Sequence, residues 1–302
     1  MRRARALIIG LAVLALMVVP TSASAQEGKP TVRIGSADFP EQVILGELYA
    51  QVLEANGYTI QRLFNLGSRE IVAPAMESGQ IDLVPEYLAT YATYLNGGDS
   101  SMASTDADQT LTNLQGLANA RGLTVLAYSP AVDTNALVVT GATASNYGLQ
   151  NTSDLAQYNG QFVMGGPPEC PTRPFCLLGY QNVYGLSFKD FRALDVGGPL
   201  TVAALDSGQI DVALLFSTNP QIAARGFVLL QDDGQLQLAD NVAPVVRGDL
   251  LGMAPSDFVG LLNNVSAQIT TDGLTGLIKQ VAVDRADEKD VAKGWLSAKG
   301  LI

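Results

Sequence analysis

The chain has 302 residues, of which 47% are hydrophobic and 16% are charged, and it carries a formal net charge of −11 without any histidine. This length and composition predict a globular protein with more than one hydrophobic core. An acidic chain repels a phosphate backbone, so nucleic acid is not an expected partner. Without histidine the chain lacks the usual general base and the commonest metal ligand, so no catalysis, metal or cofactor is expected.

Residues 1–25 have the pattern of a signal peptide. Three arginines within the first five positions precede the apolar run 6–19, and Ala-Ser-Ala follows at 23–25. The run is shorter than the 18 or more apolar residues expected of a membrane span, so cleavage is favoured over a retained anchor. No cysteine lies near the predicted cleavage site, so a lipoprotein is not expected. The sequence therefore predicts export to the periplasm or the cell exterior.

One stretch of nine residues occurs twice in the chain. Residues 75–83 read AMESGQIDL and residues 204–212 read ALDSGQIDV. Each copy is predicted to be the end of a helix, a glycine stop and a buried strand. Shorter matches precede both copies in register, such as VRIG at 32–35 and FVMG at 162–165. The repeat predicts two similar α/β lobes.

The lobes are expected to be built from three parts of the chain after the signal peptide. Residues 26–130 are predicted to form the first part of lobe 1, and residues 131–226 to form lobe 2. Residues 227–302 are predicted to hold a return strand and the helices that complete lobe 1. Two crossovers, near 129–135 and 217–230, then join the lobes and allow a hinge.

Ligands of open α/β sheets bind beyond the carboxyl ends of the strands, which predicts a ligand cleft between the two lobes. The loops expected there contain neither a nucleophile–base pair nor a phosphate-binding glycine motif, so binding is predicted rather than catalysis. Pro85 is predicted to open a helix beside this cleft. Asp82 and Asp211 are predicted to bond to backbone near the strand starts. An exported enzyme that uses one of these two carboxylates stays open as the alternative.

The only two cysteines of the chain, Cys170 and Cys176, enclose two prolines and Arg173. In an exported protein this spacing predicts a local disulfide that shapes a stiff loop. Arg173 is predicted either to hold an anion or to remain solvated.

Three segments resemble the substrate-binding proteins of osmoprotectant ABC transporters, which carry glycine betaine, choline, carnitine and related solutes. They are IGSADFPEQ at 34–42, GQIDLVPEY at 79–87 and DVALLFSTN at 211–219, and the resemblance covers nearly the whole chain after residue 25. It implies the type II periplasmic binding protein fold, with two α/β lobes joined by two crossover strands. It also implies a monomer that delivers a small zwitterionic or quaternary ammonium solute to an ABC permease and its ATPase. An amino-acid-like or other small polar solute is the alternative.

The resemblance also implies which residues bind the solute. These candidates are Gln42, Ser68, Tyr87, Asn135, Phe216, Ser217 and Thr218. Tyr87 would be a wall of an aromatic cage around a quaternary ammonium, and Gln42 and Ser68 would donate to solute oxygens. Asn135 and Phe216 stand where a tyrosine is common in the family.

Three further tyrosines differ in their predicted roles. Tyr128 is a weaker candidate near the first crossover. Tyr91 and Tyr94 follow Tyr87 at helical spacing and are predicted to be packing residues.

Overall fold

The strands form two sheets of five. The computed structural model describes residues 29–302, so the predicted signal peptide lies outside the described residues. The strands are β1 (Thr31–Gly35), β2 (Thr59–Leu63), β3 (Leu83–Tyr87), β4 (Leu123–Val125), β5 (Asn135–Thr140), β6 (Val163–Gly166), β7 (Asp190–Ala193), β8 (Val212–Phe216), β9 (Phe227–Leu229) and β10 (Val242–Arg247). The α-helices are α1 (Pro40–Ala55), α2 (Arg69–Glu77), α3 (Leu88–Leu95), α4 (Ala107–Asn119), α5 (Gly141–Tyr147), α6 (Leu177–Tyr184), α7 (Pro199–Asp206), α8 (Gln221–Ala224), α9 (Gly248–Met253), α10 (Asp257–Ser266), α11 (Thr271–Ala282) and α12 (Glu288–Ala298).

Both sheets have the same topology. The first sheet has the order β2-β1-β3-β10-β4, and the second has the order β7-β6-β8-β5-β9. In each sheet three strands are parallel, and the fourth strand, β10 or β5, runs antiparallel to both of its neighbours. The two copies of the repeat lead into β3 and β8, which are central in their sheets. The prediction of two similar α/β lobes is therefore confirmed.

The aspartates of the repeat have the same role in both lobes. Asp82 Oδ2 accepts a hydrogen bond from the N–H of Arg33 at 2.9 Å, and Asp211 Oδ2 accepts one from the N–H of Val163 at 2.8 Å. Each carboxylate thus joins the start of the central strand to the neighbouring strand of its sheet. Both aspartates bond to backbone, as the sequence predicted.

Helix α1 connects the first sheet to the C-terminal helices. Its side chains Ile44, Leu48 and Leu53 are fully buried, and it contacts β1 and β3 on one side and α10, α11 and α12 on the other. Burying each such side chain stabilises the fold by roughly 1.5–3 kcal/mol. The C-terminal helices therefore belong to lobe 1. In the part of the chain that the structure describes, no helix is both long and apolar enough to cross a membrane.

The chain path at the end of lobe 2 differs from the prediction. Residues 227–229, expected to start the return to lobe 1, form β9 and pair with β5 at the edge of the second sheet. A short apolar run does not distinguish an edge strand from a crossover, because both are extended and partly buried. Lobe 2 therefore extends past residue 226, since Leu230 and Leu236 belong to its core, and the second crossover lies near 239–241. It pairs with the first crossover through an antiparallel bridge between Val132 and Asn241.

Pro85 does not open a helix, contrary to the prediction. It lies inside β3, opposite Pro244 of β10. Two prolines can face each other only at a pair that exchanges no N–H hydrogen bonds, so neither residue interrupts the ladder between the strands. Helix α3 begins at Leu88, and Tyr87 is both the last residue of β3 and the N-cap of the helix.

Candidate ligand-binding site

A cavity of about 480 Å³ lies between the two lobes. Lobe 1 contributes the segments at the ends of β1, β2 and β3, and lobe 2 contributes those at the ends of β6, β7 and β8. The two crossovers contribute Asp133, Asn135 and Asp240. This is the edge at which parallel strands present their carboxyl ends, where ligands of α/β folds bind.

Five of the seven predicted site residues line this cavity. They are Gln42, Ser68, Tyr87, Asn135 and Phe216. The remaining two, Ser217 and Thr218, do not line it; their hydroxyl oxygens contact Asp133 Oδ1 at 3.1 and 2.9 Å. The structure therefore brings both residues to a carboxylate that lines the cavity, and a direct contact with the solute remains a prediction.

Tyr87 is fixed in position from two sides. Its side chain is part of the core of lobe 1 with only 7% of the residue exposed, and its hydroxyl donates to Glu41 Oε1 at 2.6 Å. Burial, followed by the nearby charge of Glu41, raises the pKa of Tyr87 well above its ordinary value. The ring is therefore a rigid and neutral wall of the cavity.

Gln42 and Ser68, which were predicted to donate to solute oxygens, and the predicted site residue Asn135 already have hydrogen-bond partners. Gln42 Nε2 donates to the carbonyl oxygen of Pro85 at 3.1 Å, and Asn135 Nδ2 donates to that of Phe175 at 2.9 Å. The hydroxyl of Ser68 donates to Glu70 Oε2 at 2.6 Å. Since a hydroxyl has a single hydrogen, Ser68 can donate to a solute only by giving up Glu70.

Phe39 and Phe216 meet across the lobes, with ring centroids 5.1 Å apart and planes tilted by 34°. Both rings also line a second cavity of about 370 Å³, which lies between lobe 2 and helix α11. The pair therefore forms a shared wall between the two cavities. Phe39 was not among the predicted site residues, although it lies within the segment 34–42 that carries the family resemblance.

Four buried carboxyl groups near the cavity were missed by the sequence analysis. They belong to Glu41, Glu86, Asp133 and Asp240, each of which is at most 5% exposed. Glu86 has a cationic partner, because Arg69 binds it at 2.7 Å. Burial raises the pKa of Glu41 and that of Asp240 to about 7, and that of Asp133 well above its usual range. In the sequence, only the positions of two of these acids could have indicated a role in the site. Glu41 follows Pro40, and Asp133 lies in the predicted first crossover.

Glu41 and Asp133 are joined across the lobe interface by Thr218. The Thr218 hydroxyl oxygen lies 2.7 Å from Glu41 Oε2 and 2.9 Å from Asp133 Oδ1. A hydroxyl has one hydrogen to donate, so both contacts are hydrogen bonds only when one carboxyl group carries a proton. Burial raises the pKa of both carboxyl groups, which favours such a proton at the interface between the lobes.

The loop of lobe 2 that covers the cavity is closed by the predicted disulfide. Cys170 and Cys176 are bonded, which confirms that prediction. Arg173 lines the cavity from this loop and binds Glu70 of lobe 1 at 2.9 Å, with Glu169 at 3.5 Å. Arg173 is therefore partly exposed and is held in an ion pair with lobe 1, and binding of an anion by it stays a prediction.

Of the three other tyrosines, Tyr94 is the one that lines the cavity. Tyr128 does not line the cavity, and its hydroxyl donates to Asp108 at 2.7 Å. Tyr91 is buried in the core, as expected of a packing residue. Tyr94 is partly buried and packs against the same core, as predicted, and it also lines the cavity. Within residues 29–302, no group of acidic or cysteine side chains is arranged to hold a metal ion.

Two lobes of equal topology, hinged by paired crossovers around a cavity with aromatic and acidic walls, define the class of two-lobed solute-binding proteins. The chain belongs to the OpuAC family, the substrate binding domain of the ABC-type glycine betaine transport system, whose sequence model matches residues 30–298. This is a family of transport proteins, so the prediction of a substrate-binding protein that is not an enzyme is confirmed.

Individual relatives agree with the family. The chain is 30% identical over 283 residues to a glycine-betaine-binding protein of Pseudomonas aeruginosa, covering 90% of this chain and 89% of that protein. It is 27% identical over 294 residues to the glycine betaine-binding protein YehZ of Escherichia coli, covering 94% and 95%. A crystal structure of a glycine betaine/carnitine/choline ABC transporter aligns with a TM-score of 0.71 at 24% identity, covering 89% of this chain and 99% of that chain. The predicted type II periplasmic binding protein fold is confirmed.

Proposed function

We propose that the chain is an exported receptor that binds one small quaternary ammonium solute in the cavity between its lobes. One observation carries the proposal: an aromatic ring from each lobe, Tyr87 and Phe216, lines a cavity that also contains buried carboxyl groups. A quaternary ammonium donates no hydrogen bond, but aromatic faces and carboxylates attract it strongly where water is excluded. Relatives named for glycine betaine support this solute class.

Solute capture is proposed to close the cleft. The paired crossovers, bridged by Val132 and Asn241, leave the lobes joined by two extended strands that can bend. Contacts that exist only between the lobes, such as Thr218 to Glu41 and Arg173 to Glu70, are made when the cleft is shut. A solute that touches both lobes therefore shifts the population toward the closed form.

The closed receptor is proposed to deliver its solute to an ABC permease driven by an ATPase, and to do so as a monomer. Residues 1–25 are proposed to be removed on export, and without a cysteine at the cleavage site the mature protein carries no lipid anchor. Its contact with the membrane is then made through the permease.

Isothermal titration of the purified protein tests the proposal. Glycine betaine, choline and carnitine form the main panel, and amino acids such as proline represent the alternative solute class. We expect saturable binding of at least one quaternary ammonium compound without product formation, and a smaller radius of gyration by small-angle scattering at saturation. Turnover of any bound compound, or binding restricted to amino acids, would refute the proposal.

A further inference from the structure

We infer that this site selects a net-cationic quaternary ammonium alcohol over the corresponding zwitterion, and that Asp133 and Asp240 are the residues that impose this choice. The inference rests on the proposed function, because it assumes that a quaternary ammonium solute occupies the cavity of about 480 Å³. It concerns the part of the solute beyond the ammonium group, which is a hydroxyl in choline and a carboxylate in glycine betaine.

Asp133 has one oxygen with several donors and one with none. Its Oδ1 is contacted by the N–H and hydroxyl of Thr218 and by the hydroxyl of Ser217, at 2.9 to 3.1 Å. Within residues 29–302 no N–H or hydroxyl donates to its Oδ2, and the carboxyl group also interacts with that of Glu41. The residue is 3% exposed and lines the cavity. Its carboxyl group therefore borders the space that a solute would occupy.

Asp240, on the other crossover, repeats this arrangement. Its Oδ1 accepts from the N–H and the hydroxyl of Thr90 at 2.9 and 3.3 Å, while Oδ2 has no donor among the described residues. It is 5% exposed and lines the same cavity. The two aspartates are adjacent, because the N–H of Asp133 donates to the backbone oxygen of Asp240 at 3.2 Å. The two crossovers thus present two carboxyl groups to the cavity, and each has one oxygen to which no N–H or hydroxyl of the described residues donates.

Both guanidinium groups of the cavity lining already have carboxylate partners. Arg69 is held by both carboxylate oxygens of Glu86 and by the Thr90 hydroxyl. Arg173 is held by Glu70 and Glu169. Each positive charge is therefore already opposed by at least one negative charge within the described lining, and no lysine lines the cavity.

Groups on neighbouring elements also face these two aspartates. Glu41 of α1 and Tyr87 of β3 lie on one side, and the ion pair of Arg69 with Glu86 lies on another. Burial raises the pKa of both Asp133 and Asp240, which reflects the cost of ionising them in the interior, although the charge of Arg69 lowers this cost for Asp240. A bound cation lowers that cost, whereas a zwitterion brings a second negative charge into the same space.

Choline and glycine betaine form a matched pair for this question, because both carry the same trimethylammonium group. The choline hydroxyl can donate to Asp240 Oδ2, whereas the betaine carboxylate can only accept hydrogen bonds and is repelled by each aspartate that a bound cation keeps ionised. At neutral pH we expect choline to bind at least about tenfold more tightly than glycine betaine.

Isothermal titration of both compounds to wild type, Asp133→Asn and Asp240→Asn tests the inference. Asparagine keeps the Oδ1 acceptor and replaces only the oxygen without a donor, so folding is expected to be retained and is checked by the melting temperature. We expect each substitution to weaken choline binding by about tenfold and to reduce the ratio of choline to betaine affinity. Asp272→Asn is the control: Asp272 is solvent-exposed on α11 and does not line the cavity, so it should change either affinity less than about twofold.

The outcomes separate this inference from the proposed function. If glycine betaine binds as tightly as choline, or if both aspartate variants leave the affinity ratio unchanged, the inference is wrong and the receptor function stands. If no quaternary ammonium compound binds to the wild type, the proposed function itself fails. Should one aspartate variant not fold, the affinity ratio of the other variant decides.

Discussion

The two lobes share one topology but contribute different chemistry to the cleft. In the repeat, Glu86 and Tyr87 of lobe 1 occupy the same positions as Leu215 and Phe216 of lobe 2. Both aromatic rings line the cavity. Glu86 is a buried charge paired with Arg69, whereas Leu215 is an apolar core residue.

This difference separates the features that both lobes share from those that only one lobe contributes to the site. The fold places a side chain from each lobe at the end of its central strand, and an aromatic residue suits both positions. The buried carboxyl groups come from lobe 1 and the crossovers, through Glu41, Glu86, Asp133 and Asp240, whereas the charged residues Glu169 and Arg173 of lobe 2 are only partly buried. Lobe 2 instead supplies a covering loop closed by the Cys170–Cys176 disulfide. A symmetric cleft therefore carries an asymmetric binding site, as a solute with two unlike ends requires.

Truncating each aromatic ring in turn tests whether the two rings contribute differently to stability. Tyr87 is enclosed in the core of lobe 1 and bonded to Glu41, whereas Phe216 is only partly buried. We expect Tyr87→Ala to lower the free energy of unfolding by about 3–5 kcal/mol. Phe216→Ala should lower it by only about 1 kcal/mol, through loss of the contact with Phe39. Urea denaturation monitored by circular dichroism measures both values.

Measurement of solute affinity completes this test. Phe216→Ala should weaken the affinity for a quaternary ammonium solute by roughly ten- to thirtyfold, because one aromatic wall is lost. Phe216→Tyr is the control and should retain the affinity, since the ring face provides the attraction. Equal losses of stability in the two alanine variants would contradict the proposed division between a core ring and a cleft ring.

The interface between the lobes provides a pH-dependent test. Burial raises the pKa of Glu41 to about 7, above the value of an exposed glutamate in the unfolded chain. The folded protein therefore binds this proton more tightly, and the associated stability is complete below the unfolded pKa and is lost as the pH rises to about 7. We expect the free energy of unfolding to be lower at pH 8 than at pH 5. Glu41→Gln should reduce this difference by roughly 2 kcal/mol.

Glu54→Gln is the matched control for this experiment. Glu54 is bound by Arg62, which lowers its pKa, so it remains ionised between pH 5 and pH 8 in both states. Its substitution should leave the pH dependence over that range unchanged. If Glu41→Gln and wild type lose equal stability between pH 5 and pH 8, Glu41 does not hold the interface proton.

The parts of the molecule that the sequence predicted are those encoded by local patterns. The helix stop and strand of the repeat at 75–83 identify the lobes, and the spacing of Cys170 and Cys176 identifies the disulfide. The buried acids were missed because burial of a charge depends on distant contacts: Glu41 meets Thr218, which is 177 positions away in the chain. Only the folded chain brings such groups together.

Two features of the chain path were missed for a related reason. The interior position of Pro85 in β3 depends on the strand opposite, which supplies Pro244. The edge strand β9 depends on its pairing with β5, which a run of three apolar residues does not reveal. In both cases the deciding information lies in the partner strand.

The smallest expected effect concerns the ion pair that spans the cleft. Arg173 of the disulfide loop binds Glu70 of lobe 1 at 2.9 Å, and the side chains are 29% and 45% exposed. An ion pair this accessible contributes about 0.2–1 kcal/mol, so Arg173→Gln should weaken solute affinity only two- to fivefold, and less at high salt. Arg225→Gln is the control, because its pair with Asp206 lies within lobe 2 and is not made by closing the cleft. Titration at low and high salt measures both variants. An unchanged affinity of Arg173→Gln at low salt, or an equal loss in Arg225→Gln, would show that this ion pair does not favour the closed form.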